Sequence, residues 1–117
     1  MALSVAASAI AAEPSAAAKT EVSTLLTRLA ASGCTFQRNG SWYSAAEARA
    51  HLEKKYQYLL DKQRLASADD FVALAATRSS ISGKPYLVKC GAQEQPSAVW
   101  MGEQLKALRA PDPAKRN

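Results

Sequence analysis

"CTFQRNGSWYSAAE", Cys34 to Glu47, carries two different structural signals back to back. Asn39-Gly40 predicts a two-residue type I′ hairpin turn, because that turn requires positive φ at both central residues, which Asn and Gly tolerate best. Cys34 and Phe36 then share one face of the first strand by its period of two. The second strand is short and contains Trp42 and Tyr43. Ser44-Ala-Ala-Glu47 is a capping box, in which the serine oxygen accepts from the amide three residues on while the glutamate reaches back. A hairpin therefore runs straight into a capped helix.

Upstream, Val22, Leu25, Leu26 and Leu29 fall at i, i+3, i+4 and i+7, one face of a helix that starts near Thr20 and ends at Gly33. Downstream, the capped helix continues to about Lys62 with Ala48, Leu52, Tyr56 and Leu59 on its apolar stripe. A second box, Ser67-Ala-Asp-Asp70, starts a shorter helix that turns Phe71, Leu74 and Ala75 inward. After the polar loop "TRSSISGKP", the segment "YLVKC" predicts a strand with Tyr86, Val88 and Cys90 on one face. Ser97 is placed to cap a last helix through about Arg109, burying Val99 or Trp100, Met101, Leu105 and Leu108. The order helix, hairpin, two helices, strand, helix predicts an α+β domain: a small, mainly antiparallel sheet, the hairpin plus one later strand, covered by about four helices.

The chain has 117 residues, 48% hydrophobic and 21% charged, which fits one compact core and leaves no room for a second. That core is expected over residues 19–110, after a disordered lead at 12–18 and before a mobile tail at 111–117. Residues 1–11 are expected to be the remnant of a signal peptide: they carry no charge, and Ala9 and Ala11 fit the small-x-small cleavage rule. An ordinary apolar helix is the alternative. No other apolar run approaches the roughly 20 residues that span a bilayer.

Export would place the only two cysteines, Cys34 and Cys90, in an oxidising compartment where a disulfide persists. Two separate buried thiols are the competing reading. Two cysteines and the single histidine at these wide spacings match no zinc pattern, so no metal and no cofactor is expected. The net charge of +5 favours anionic partners weakly. Its lysines and arginines are scattered among acids, whereas a nucleic-acid footprint is a clustered stripe.

Three constellations bear on chemistry. "SSISGKPY", Ser79 to Tyr86, resembles the end of a phosphate loop, but Arg78 stands where the loop needs Gly and Pro85 where it needs Ser or Thr. A backbone nest at Ser82-Gly83-Lys84 suits a small anion, although a turn launching the strand explains the same residues. A serine activated by Lys84 would need burial that a loop does not supply. His51 lies four residues after Glu47, so the carboxylate can orient its ring, and Ser79, Ser80, Ser82 or water is its available partner as a general base. A half-buried packing histidine with one hydrogen bond is the plainer account. Arg38 beside the turn reads as a solvated cross-strand residue, and Trp42, Tyr43, Tyr86 and Trp100 as core and sheet aromatics.

Taken together, "FQRNGSWY", "EARAHLEKKY", "SADDFVALAATRSSISGKPYLVKC" and the final Trp-containing helix resemble the YfeK-like family of small exported bacterial proteins, a domain of unknown function. The resemblance implies a periplasmic protein and brings no activity with it. It makes Arg38, His51, Ser80, Ser82 and Lys84 family-motif positions, in a run that ends at Tyr86. The cysteine pair is not part of the pattern.

These readings favour a non-catalytic module that binds a periplasmic protein or a small anion through residues 78–86 and the hairpin tip. A hydrolase or transferase using His51 with a loop serine is the alternative, and nucleic-acid or anionic-surface binding a further one. The first two turn on whether the fold brings Arg38, His51 and Lys84 to one cleft.

Overall fold

The computed structural model describes residues 12–111. The expected signal remnant at 1–11 and all but the first residue of the expected tail lie outside the described residues. The elements run α1 (Ala16–Ala31), β1 (Thr35–Arg38), β2 (Ser41–Tyr43), α2 (Ala45–Asp61), α3 (Ala68–Ala75), β3 (Leu87–Cys90), β4 (Gln93–Pro96) and α4 (Ser97–Arg109). The fold class is α+β, with four helices and one antiparallel sheet in the order β2-β1-β3-β4 among the described residues.

Asn39 and Gly40 both take positive φ, 51° and 83°, as the hairpin between β1 and β2 demands. Phe36 pairs with Tyr43 on one side and Val88 on the other, which puts all three on one face of the sheet. Phe36 and Val88 are buried there, and the Phe36 ring meets Trp100 of α4 edge to face at 5.8 Å. The opposite face carries Gln37, Trp42 and Leu87. It explains why Trp42, one of the aromatics expected in the core and sheet, lies in the sheet but is 41% exposed.

The helices cover the apolar face with the expected stripes. Val22, Leu25, Leu26 and Leu29 of α1 and Ala48, Leu52, Tyr56 and Leu59 of α2 are all buried. α1 starts at Ala16 with Ser15 as its cap, so the expected disordered lead at 12–18 overlaps its first turn. Ala12 also donates its amide to the Gln63 carbonyl at 3.0 Å. Ser44 and Glu47 form the full capping box of α2. In the second box Ser67 accepts from the Asp70 amide, but the shorter Asp70 carboxylate accepts from Ala66, one residue before the cap.

Three expectations are corrected. Leu74 is 43% exposed, because eight-residue α3 turns Ala68, Phe71 and Ala75 into the core, with Val72 at its border, and Leu74 lies off that face. Ser97 does not cap α4: Pro96 holds that position, and Ser97 is buried with its amide donating to the Tyr86 carbonyl at 2.8 Å. A fourth strand, β4, closes a second hairpin through Gly91, whose φ is +62°. Its sequence, Gln-Glu-Gln-Pro, has no β-branched or aromatic residue, and an edge strand tolerates that composition and its proline. Val99 is exposed and Trp100 buried, which resolves the choice left open for α4.

Cys34 and Cys90 form a disulfide between the chain just ahead of β1 and the last residue of β3. On the far side Arg109 of α4 bonds Glu21 of α1 and Asp69 of α3, tying three helices at the surface. No described helix is long and apolar enough to cross a membrane.

Candidate functional site

Arg38 ends β1, directly before the turn, and the register of the hairpin points it toward α2. Its Nη1 lies 3.1 Å from His51 Nδ1. A guanidinium has no lone pair to offer, so Nδ1 accepts and the imidazole proton sits on Nε2. Nε2 then donates to Tyr86 Oη at 3.1 Å. Lys55, one turn beyond His51 on α2, donates to the same oxygen at 3.0 Å and to the Arg78 carbonyl at 3.0 Å. The result is a directed chain in which Arg38 donates to His51, and His51 and Lys55 both donate to Tyr86. Among the described residues no protein group accepts the Tyr86 hydroxyl proton, which leaves that donor free.

Ring contacts brace the same residues. The Arg38 guanidinium lies 4.9 Å from the Tyr43 ring centre, Lys55 Nζ 4.9 Å from the Tyr86 ring centre, and the His51 and Tyr86 rings meet edge to face at 5.9 Å. Beside Arg38 a small, mainly apolar cavity is lined by Phe36, Tyr43, Leu52 and Tyr86, with Glu47 its one acidic residue, outside salt-bridge distance of Arg38. His51 also borders a groove on the other side, with Lys54, Lys55 and Ser80.

The electrostatics follow from the neighbours. Burial, then the positive charges of Arg38, Lys55 and Lys54, hold the His51 pKa down to about 4. Burial, then Arg38, lowers Lys55 to about 8. Burial pushes the Tyr86 phenol upward, opposed by Arg38. Neither Arg38 nor Lys55 has a carboxylate within salt-bridge distance among the described residues. Glu47, expected to orient His51, is instead engaged through one oxygen with the Ser44 amide and hydroxyl.

The loop behaves differently from its motif. Ser79 is buried and its hydroxyl accepts from the Ile81 and Ser82 amides at 3.2 and 3.3 Å. The Gly83 amide goes to the Ser79 carbonyl and the Lys84 amide to the Ser82 hydroxyl. All three amides that an anion nest at Ser82-Gly83-Lys84 would need are thus spent inside the loop. Ser82 also donates to the Asn39 side chain, which clips the loop to the hairpin tip.

The fold therefore brings Arg38, His51 and Tyr86 into direct contact, with Ser82 one residue away through Asn39. Ser80 lines the groove beside His51, and Lys84 is exposed with no side-chain bond among the described residues. Neither ring nitrogen of His51 bonds a serine, so the base–nucleophile contact of a hydrolase is not formed. Lys55 is the member that the sequence reading missed. Its signal was the spacing Glu47, His51, Lys55, which lines up one face of α2.

What the geometry defines is a small disulfide-braced α+β domain with a half-buried cationic hydrogen-bonded chain at the junction of hairpin, helix and loop. The chain belongs to a family of unknown function, DUF5329, which it matches over residues 16–109. No curated protein and no solved structure matches it.

Proposed function

We propose that this protein is a non-catalytic periplasmic module that captures a small oxyanion, or an anionic group on a partner, at Arg38, Lys55 and the Tyr86 hydroxyl. One observation carries the reading: two half-buried cations converge on the His51–Tyr86 pair without a carboxylate to neutralise either. Burying charge without a partner costs stability, and an anion seated between them removes that cost. The free Tyr86 proton supplies a third donor at the same place. Neutral His51 serves as the spacer that holds Arg38 and Tyr86 in register. Support for the periplasm comes from the uncharged small-residue start, the paired cysteines and the YfeK-like resemblance; fractionating cells that express the full chain tests it.

The binding reading is tested by NMR titration of the full-length protein with inorganic phosphate, sulfate and acetate. An anion is expected to perturb Arg38, Lys55 and Tyr86 together and to raise the His51 midpoint, because it cancels the cations that depress it. Arg38→Ala should abolish the response with the fold intact, and Lys84→Ala should leave it unchanged. A His51 midpoint indifferent to every anion, or an Arg38→Ala chain that loses its fold, would make the cluster structural and end the proposal.

A further inference from the structure

Five large apolar side chains stand exposed among the described residues: Trp42, Tyr58, Leu74, Ile81 and Val99. Tyr58 and Leu74 share one groove with Lys54, Lys55, Arg64 and Ser80, and no Asp or Glu lines it. Ile81 follows Ser80 at the tip of the loop and is 95% exposed. Lys62, the C-cap of α2 four residues after Tyr58, places its Nζ 5.8 Å from the Tyr58 ring centre. Isolated surface apolar residues are ordinary, but Tyr58 and Leu74 lie together at a groove whose charged residues are all cations, and Ile81 adjoins its Ser80 in sequence.

We propose that this face docks onto an anionic lipid surface, with Ile81, Tyr58 and Leu74 entering the headgroup boundary and Lys54, Lys62 and Arg64 meeting the lipid phosphates. Charge complementarity selects an anionic occupant, and the form of the apolar groups selects lipid over an acidic peptide. A side chain that stands out of the surface singly, as Ile81 does, inserts into a deformable interface, whereas a protein partner must offer it a preshaped pocket. A tyrosine with an apolar ring and a wet hydroxyl suits the same depth, and lysine stems bury their methylenes while their charges stay at the headgroups. The proposal stands apart from anion capture at Arg38, since Tyr58, Arg64 and Ile81 take no part in that hydrogen-bonded chain.

The test is co-sedimentation of the full-length protein with phosphatidylcholine vesicles that contain or lack phosphatidylglycerol. Binding is expected only with phosphatidylglycerol and is expected to fall steeply with salt. Each cation near an anionic surface strengthens binding roughly fivefold, so Lys54→Ala with Arg64→Ala should weaken it about 25-fold. Ile81→Ser with Tyr58→Ser should weaken it at every salt concentration. Relative to the parent chain, whose emission comes from Trp42 and Trp100, Ile81→Trp should shift further to the blue on adding the same vesicles, a readout that does not depend on the double variants folding. No binding to phosphatidylglycerol vesicles, equal binding to phosphatidylcholine alone, an unmoved Ile81→Trp emission, or capture by poly-glutamate in place of vesicles would each overturn the proposal.

Discussion

At the scale of single residues, the cationic chain makes its imidazole a sensitive reporter. Its folded pKa of about 4 lies below the usual value near 6.5, so the fold favours neutral His51 and binds fewer protons than the unfolded chain between those pH values. This contribution to stability is complete above about pH 6.5, is lost as pH falls toward 4, and is constant below. With His51 only half-buried, solvent screening reduces it to on the order of 1 kcal/mol. Urea unfolding across that window should show the loss, and His51→Gln should flatten it. Arg38→Ala should raise the His51 NMR midpoint toward 6.5. Tyr86→Phe leaves Lys55 and Nε2 of His51 without their shared acceptor and should cost about 1–3 kcal/mol in urea midpoint stability. Part of this site was legible: Arg38, His51 and Tyr86 stand in polar motifs that each have a bland explanation alone. Lys55 was legible only as a neighbour of His51 on one face of α2, because nothing in that spacing shows that a tyrosine 31 positions later arrives at its tip.

At the scale of elements, local chemistry decided what could be foreseen. The hairpin turn, the box at Ser44 and the stripes of α1 and α2 follow from residues within a few positions of one another, and each forms as those residues require. Ser44→Ala removes the acceptor of the Glu47 amide and the partner of the Glu47 carboxylate, so it should cost about 1 kcal/mol, read from thermal or urea melts. β4 depends on the opposite kind of information. Gln93 to Pro96 form a strand because Val88 and its neighbours are already there to pair with, and no property of the four residues announces it. Ser97 depends on the same kind of information: a serine before an apolar run is a good cap, but tertiary packing places the Tyr86 carbonyl over its amide, and the cap position falls one residue earlier, at Pro96. The nest at Ser82-Gly83-Lys84 failed through Ser79, whose buried hydroxyl and carbonyl take the donors first.

At the scale of the whole molecule, the disulfide is the longest-range covalent constraint on the site. Cys34 and Cys90 are 56 residues apart in sequence and adjoin the two central strands, so their bond encloses the hairpin, α2, α3 and the loop in one ring. Every member of the cationic chain lies inside that ring. Fewer than 120 residues bury a modest core, and closing so long a loop in the unfolded chain contributes about 4 kcal/mol in the chain-entropy model. Reduction, or Cys34→Ala with Cys90→Ala, should therefore lower the melting temperature by about 15–25 °C. The helices on the far side, tied by exposed Arg109 to Glu21 and Asp69, give no comparable brace, since surface ion pairs are worth about 1 kcal/mol or less each. Calorimetry of the oxidised, reduced and double-alanine forms separates the cases. Equal losses on reduction and on mutation assign the effect to the bond, whereas a loss confined to the double-alanine chain assigns it to packing of Cys34 in the core. If neither form loses stability, the ring does not constrain the fold, and His51 in the reduced protein should still titrate near 4.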